Sequence, residues 1–120
     1  RDWGHAKDYV VAMWKMLQKK MPKDYVIASG KQYSVKDFVN LVAKELNFKI
    51  TWKGKGINEK GYLNKRLIIS IDRRYFRPTE VESLLGNPNL AKKELKWSPK
   101  FNINTLVKDM VSEELKITSA

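Results

Sequence analysis

The chain has 120 residues and a mass of 14.0 kDa, which suits one domain large enough to bury a hydrophobic core. Apolar residues make up 42% and charged residues 31%, so the composition excludes a disordered chain and a collagen-like fibre. No apolar run approaches the roughly 18 residues of a membrane-spanning helix. The absence of cysteine excludes disulfides, thiolate catalysis and cysteine-ligated metals.

The net charge of +11 fits three kinds of partner: nucleic acid, an acidic membrane surface or a small anionic ligand. The charge is spread over both halves of the chain, and most of it comes from lysine. Sites that bind phosphate in a planar fork favour arginine instead. We therefore interpret most lysines as a solvated surface. The first residues lack the pattern of a secretory signal, and we expect a cytoplasmic location.

Residues 5–20 predict an amphipathic helix, because apolar residues recur at helical spacing with charged residues between them. Met21 and Pro22 end this helix. The residues predicted to face the core are Ala6, Tyr9, Val10, Met13, Trp14 and Leu17. The apolar, partly β-branched run at 25–28 then predicts a buried strand.

The middle of the chain predicts a second helix and two more strands. Ser34 and Asp37 have the spacing of a capping box, so a helix begins after Ser34 and stops near Asn47. Alternation of apolar and polar residues predicts a strand at 49–52. A glycine-rich loop follows at 54–61, and the apolar run at 67–71 predicts the third strand.

The last quarter of the chain predicts two helices, at 89–95 and at 103–115, the second capped by Asn102. The whole order is α, β, α, β, loop, β, α, α, which predicts an α/β fold of about four helices and three short strands. The first helix begins almost at residue 1 with no strand before it. We therefore expect the chain to be the C-terminal part of something larger.

No catalytic or metal-binding constellation is visible in the sequence. The Gly54-Lys55-Gly56 run begins like a dinucleotide fingerprint, but Glu59 stands at the position of its last glycine. No tyrosine is followed by lysine four residues later. One histidine and scattered carboxylates do not make a metal site. We expect this chain to hold no catalytic residue, no cofactor and no metal.

Two arginine-centred segments carry the clearest chemical signal: R-D-W-G-H-A-K-D-Y-V at 1–10 and Y-F-R-P-T-E-V at 75–81. A guanidinium makes forked contacts with phosphate, and proline after Arg77 favours an extended backbone there. Glu80 can accept hydrogen bonds from sugar hydroxyls. Arg1, Arg77 and Glu80 therefore predict a nucleotide-diphosphate site. The alternatives are surface salt bridges for the arginines and packing for the aromatic residues.

Further motifs join these two: Y-V-I-A-S-G at 25–30, S-V-K-D-F-V at 34–39 and L-K-W-S-P at 95–99. In this order they resemble the C-terminal substrate-binding domain of the GDP-mannose 4,6-dehydratases, a family of extended short-chain dehydrogenases/reductases. The resemblance implies an NADP-dependent lyase. Such an enzyme oxidises C4 of GDP-mannose, eliminates water across C5 and C6, and returns the hydride to C6. The product is GDP-4-dehydro-6-deoxy-mannose.

The resemblance also implies roles for individual residues. Arg1 and Arg77 contact the substrate diphosphate and Glu80 the ribose, whereas Trp3 and His5 shape the entry to the first helix. The cofactor-binding Rossmann domain and the Tyr-x-x-x-Lys pair lie upstream of R-D-W in the family. We therefore expect residues 1–120 to bind the GDP part of the substrate, and the full-length enzyme to be a homo-oligomer.

Two positions leave the family pattern: the loop region 53–66 is unusually basic, and Tyr33 stands where a histidine is common. Three alternatives remain open at the level of sequence. The chain could belong to another GDP-sugar enzyme, an epimerase or a reductase. It could be a small basic nucleic-acid-binding module. It could also be an interaction domain that kept the fold and lost the cofactor-binding half.

Overall fold

The computed structural model describes residues 1–79 and 82–119. These residues form four α-helices and one three-stranded antiparallel sheet, which confirms the predicted numbers of helices and strands. The helices are α1 (Ala6–Leu17), α2 (Val35–Glu45), α3 (Asn89–Glu94) and α4 (Ile103–Thr118), and the strands are β1 (Thr51–Lys53), β2 (Lys60–Leu63) and β3 (Arg66–Ser70). Within the described ranges, no helix has the length and apolar character needed to cross a bilayer.

The helix starts follow the capping signals in the sequence. Ser34 and Asp37 form the predicted capping box at α2, each side chain bonding the other's backbone N–H at 2.9 Å. Asn102 and Thr105 form an equivalent box at α4. These caps satisfy backbone donors that the first helical turn leaves unpaired. They fix where α2 and α4 begin.

The sheet is a meander in the order β1-β2-β3. Gly61 lies opposite Trp52 on one side and Ile69 on the other. A side chain at Gly61 would meet the Trp52 ring at 3.1 Å, so glycine lets this ring lie over the middle strand. The Trp52 indole N–H donates to Asn40 of α2 at 2.8 Å, which joins the sheet to the helix.

The strand predicted at 25–28 is wrong. These residues belong to none of the strands in the described part of the chain. Their side chains serve packing instead: Tyr25 donates a 2.9 Å hydrogen bond to Glu94 of α3, and Ile27 packs against the core cluster. Ala28 lies so close to Gly86 that a Cβ built on the glycine would be 2.3 Å from the Ala28 Cβ.

One observed strand, β2, was not predicted. It begins inside the segment predicted to be a loop, 54–61, and ends just after it. A short 3-10 helix at Gly56–Asn58 reverses the chain after β1. Asn64, with φ of 56°, lies in the two-residue connection from β2 to β3. Asparagine tolerates this left-handed conformation, which tight hairpins require. Of the glycines that suggested a loop, Gly54 and Gly56 lie in the connection from β1 to β2, whereas Gly61 lies within β2.

The main core lies between α1, α3 and the residues that follow α3. Ala12, Ala91, Leu95 and Trp97 form it, and Trp97 is 2% exposed. The Trp97 indole N–H donates to the backbone carbonyl of Asp8 at 2.9 Å. This bond satisfies the polar atom of a buried indole.

The buried face predicted for α1 is largely wrong. Val10, Met13, Trp14 and Leu17 are exposed, whereas Asp8 and Ala12 are buried. The helix is oriented by Asp8, whose carboxylate bonds the chain after Trp97, and by Ala12, which is small enough for close packing. Hydrophobic spacing alone did not identify the face that this chain itself covers.

Candidate functional site

The backbone of Arg1 is fixed against the residues that precede α2. Its backbone nitrogen donates to the Tyr33 carbonyl at 2.8 Å, and the Tyr33 N–H donates back to the Arg1 carbonyl at 2.8 Å. The Trp3 indole N–H donates to the same Tyr33 carbonyl at 3.1 Å. The Trp3 ring also stacks on Phe38 of α2 with centroids 4.6 Å apart. These contacts fix where the Arg1 side chain leaves the backbone.

Asp2 fixes the neighbouring turn. Its carboxylate accepts hydrogen bonds from the Ser29 N–H at 3.0 Å, the Ser29 hydroxyl at 2.6 Å and the Gly30 N–H at 2.9 Å. Gly30 has φ of 79°, a conformation that a side chain would strain. The turn at 29–30 is therefore built to receive this carboxylate, and it places residues 31–33 beside Arg1.

Arg1 lines a pocket of about 240 Å³ between the start of α2 and the segment that follows Arg77. Its lining residues are Arg1, Gln32, Tyr33, Ser34, Asp37 and Glu82. Hydrogen bonds from the Ser34 backbone N–H and hydroxyl hold the pKa of Asp37 below its ordinary value. The pocket thus combines a guanidinium with carboxylates and amide groups. These groups suit a ligand with both anionic and hydroxyl or N–H functions.

The pocket brings Arg1 together with Glu82, which follows the second arginine-centred segment in the sequence. Ser83 donates to the Gln32 side-chain oxygen at 2.8 Å, which ties the residues after Arg77 to those beside Arg1. Arg77 itself is exposed and is not among the pocket residues. Glu80, the third predicted site residue, lies outside the described residues. The structure therefore places Arg1 in this pocket and Arg77 outside it.

The neighbours of Arg77 bear on the two alternatives considered for this segment. Arg74 makes a salt bridge in this segment, with its guanidinium 2.7 Å from Asp72. The pair lowers the pKa of Asp72 because the charged carboxylate accepts those bonds. Tyr75 is 77% exposed, so core packing does not account for it. The Arg74 guanidinium instead lies 5.5 Å from the centre of the Tyr75 ring.

His5 has a structural position at the start of α1, as expected from the sequence. Its Nδ1 accepts the Lys7 N–H at 3.0 Å, so the ring proton is on Nε2, which donates to Asp109 at 2.7 Å. This bond holds the pKa of Asp109 below its ordinary value. The ring also stacks on Phe101 with centroids 4.0 Å apart. Nδ1 therefore caps the start of α1, and Nε2 joins α1 to α4.

Asp2 and Asp8 are the functional supports that the sequence reasoning missed. Asp8 is 4% exposed and accepts backbone N–H groups of Lys100 and Phe101, each at 3.0 Å. One signal was available for Asp8. It lies four residues before Ala12, so the two share the helix face that is buried. Among the described residues, no cluster of three potential ligands could hold a metal ion.

Comparison with known proteins assigns these motifs to one family. The family model for GDP-mannose 4,6 dehydratase matches residues 1–110. A GDP-mannose 4,6 dehydratase of Dictyostelium discoideum is 50% identical over 118 residues, covering 97% of this chain and 33% of that protein. GDP-mannose 4,6 dehydratase 2 of Caenorhabditis elegans is 47% identical, covering all of this chain and 32% of that protein. The human GDP-mannose 4,6 dehydratase is 43% identical over 98% of this chain. The chain spans about a third of the length of these relatives.

Proposed function

This chain belongs to the GDP-mannose 4,6-dehydratase family, and we propose that it binds the GDP part of the substrate within a longer enzyme. That enzyme is a lyase that converts GDP-mannose to GDP-4-dehydro-6-deoxy-mannose. The observation that carries the proposal is the pocket formed by Arg1 of the R-D-W motif, the residues at and just before the start of α2, and Glu82. Relatives named for this reaction match the chain along its whole length.

The three predicted site residues have separate roles in this proposal. Arg1 and Arg77 bind the diphosphate, because a guanidinium offers a planar set of donors to phosphate oxygens. Glu80 accepts hydrogen bonds from the ribose hydroxyls. Asp2 holds Arg1 in place through the turn at 29–30. The net charge of +11 attracts the GDP anion from a distance.

NADP is the cofactor of the longer enzyme in this proposal, and it binds outside these 120 residues. The described strands form an antiparallel meander rather than a βαβ unit. The sequence also has no Tyr-x-x-x-Lys pair. The residues present therefore do not fit this cofactor, and the chain contributes substrate-binding groups and no proton transfer. The longer enzyme is proposed to be a cytoplasmic homo-oligomer.

The test is a titration of the ¹⁵N-labelled chain with GDP-mannose, followed by NMR at low and high salt. We expect millimolar affinity, since part of a site loses most of its binding energy. The amide signals of Gln32, Tyr33 and Ser83 should shift together. The effect of salt should be gentle, as expected for two phosphate contacts. Arg1→Gln is the matched variant that should abolish the shifts.

Three results would contradict the proposal as stated. Absence of shifts at saturating GDP-mannose would remove the pocket beside Arg1 from substrate binding. Binding of a random oligonucleotide, falling steeply with salt, would favour the nucleic-acid module instead. Equal shifts with a UDP-sugar would mean that the pocket reads the diphosphate and not the guanine.

A further inference from the structure

We infer that the exposed apolar face of α1 is a docking surface for the part of the family polypeptide that lies outside these 120 residues. This face, called the α1 stripe, consists of Val10, Met13, Trp14 and Leu17. The inference rests on the proposed function in one respect, namely that these residues act within a longer enzyme. It goes beyond that proposal by naming the surface through which the two parts meet.

The α1 stripe is a continuous apolar ridge on one side of the helix. Its members are spaced by three, four and seven residues, so they lie on one face. Val10, Met13 and Trp14 are each 61% exposed and Leu17 is 81% exposed. Large side chains grouped in this way on a protein surface mark an interaction site.

The opposite face of α1 is already covered by its own chain. Ala12 is completely buried in the core, and Met16 packs against the same cluster. Asp8 is buried by its bonds to the backbone after Trp97. A helix with two apolar faces is typical of a helix enclosed on both sides. One of these two sides lacks its partner in the described residues.

The length of the relatives indicates which partner covers the stripe. The relatives match 97% and 100% of this chain, including α1, and are about three times as long. Their remaining two-thirds is thus a polypeptide that accompanies α1 in every one of these proteins. It is present at the high effective concentration of a covalently joined segment.

Two other occupants fit the observations less well. A second copy would bring together two chains of charge +11, and symmetric pairing would place the exposed lysines Lys7, Lys19 and Lys20 near their copies. A membrane-surface helix keeps its polar face in water. The face of α1 opposite the stripe is instead buried at Ala12.

The absence of cysteine allows a direct test by single-cysteine labelling. Met13→Cys and Leu17→Cys report on the stripe, and Lys93→Cys on exposed α3 is the matched control. Each is placed in the 120-residue chain and in a chimera that joins the preceding two-thirds of the Dictyostelium relative to Arg1. Cysteines of the added part are replaced by serine. A cooperative thermal transition verifies that each protein is folded before its maleimide labelling rate is measured.

We expect labelling at both stripe positions to be slowed at least about tenfold in the chimera, because a buried thiol reacts only after local opening. The control should label equally in both proteins. Equal rates at the stripe in the folded chimera would overturn the inference. Protection that appears in the 120-residue chain and grows with its concentration, or with added lipid vesicles, would assign the stripe to a second copy or a membrane and also overturn it.

The labelling result is independent of the substrate proposal. Protection of the stripe in a chimera that does not bind GDP-mannose would contradict the proposed function and leave the docking surface in place. Binding of GDP-mannose by a chimera whose α1 stripe labels at the unprotected rate would support the proposed function and contradict the docking surface. The two failures are therefore distinguishable.

Discussion

The Asp8 carboxylate accepts a 3.0 Å hydrogen bond from the backbone N–H of Lys100, although 92 positions separate the two residues in the chain. Its other oxygen accepts the N–H of Phe101 at 3.0 Å, and its backbone carbonyl accepts the Trp97 indole N–H. One residue of the R-D-W-G-H-A-K-D motif thus organises the L-K-W-S-P motif. The two motifs belong together because they form one structural joint.

Replacing Asp8 by alanine should lower the free energy of unfolding by roughly 2–4 kcal/mol. The substitution leaves two backbone N–H groups without their acceptor, and each such group costs about 1–3 kcal/mol. Chemical denaturation followed by tryptophan fluorescence measures the change. Asp24→Ala, at an exposed position, is the control and should change stability by less than about 0.5 kcal/mol. If Asp8→Ala and Asp24→Ala lower the free energy of unfolding equally, the hydrogen bonds of the Asp8 carboxylate do not stabilise the fold.

A second joint lies between Gly86 and Ala28. A Cβ on Gly86 would approach the Ala28 Cβ to 2.3 Å, well inside van der Waals contact. Gly86→Ala should therefore destabilise the fold by about 1–3 kcal/mol, the usual cost of overpacking. Ala28→Gly in the same chain removes the opposing methyl group and should recover most of the loss. Thermal unfolding of the two single variants and the double variant measures this coupling, and simple additivity would contradict the contact.

The helices were predicted well because the residues that start and stop a helix lie within a few positions of its ends. Capping boxes at Ser34 and Asn102 fix the starts of α2 and α4 from side chains three positions apart. The hairpin of β2 and β3 was harder to predict. Its strands are short, Asn64 in its connection signals a loop, and Gly61, which also signals a loop, lies within β2.

The errors in the predicted core have a different origin. Apolar spacing identified the α1 stripe as buried, yet this chain buries the other face through Asp8 and Ala12. The run at 25–28 has the composition of a strand, but Tyr25 and Ile27 pack on α3 and its cluster. A hydrophobic pattern does not show which face of a helix its own chain buries. For the site, the two arginine-centred segments predicted Arg1, Arg77 and Glu80 and the resemblance gave them roles, whereas Asp2 depends on a turn 27 residues away that spacing does not reveal.

The contact between His5 and Asp109 makes part of the stability depend on pH. The His5 Nε2–H bond holds the pKa of Asp109 below its ordinary value, which is about 3.9. A carboxylate with a lowered pKa stabilises the fold fully above its ordinary pKa, and this contribution is lost as the pH falls through the lowered one. Asp109→Asn should therefore cost more stability at pH 6 than at pH 2.

Urea denaturation at several pH values measures that difference. His5→Phe keeps an aromatic ring against Phe101 but removes the donor, so it is the matched background. In that background the effect of Asp109→Asn should vary less with pH. If Asp109→Asn lowers the free energy of unfolding equally at pH 2 and pH 6 when His5 is present, the contact has no electrostatic role.

Arg77→Ala should weaken GDP-mannose binding by about 1.5–3 kcal/mol, the range of a lost hydrogen bond to a charged group. Calorimetry on the chimera with the relative's preceding two-thirds measures the affinity. Arg66→Ala, on the exposed start of β3, removes the same charge away from the proposed site and should have little effect. Equal losses would mean that overall charge drives binding, and an unchanged affinity for Arg77→Ala would remove Arg77 from the site.

Asp2→Ala separates the positioning of Arg1 from its charge. The substitution keeps Arg1 but removes the acceptor of three hydrogen bonds from Ser29 and Gly30. The affinity for GDP-mannose should fall about tenfold, because an arginine on a loosened backbone must be ordered on binding. The turnover rate at saturating substrate should change little in the chimera, since no reacting group moves.

Ser29→Ala is the graded control for Asp2. It removes the hydroxyl contact at 2.6 Å and keeps both backbone donors to the carboxylate. Its effect on affinity should therefore lie between the native chain and Asp2→Ala, with folding stability close to native. If Ser29→Ala and Asp2→Ala weaken binding equally, the hydroxyl alone sets the turn. If neither weakens binding, the position of Arg1 does not depend on residues 29–30, and the two backbone bonds to Tyr33 are sufficient to hold it.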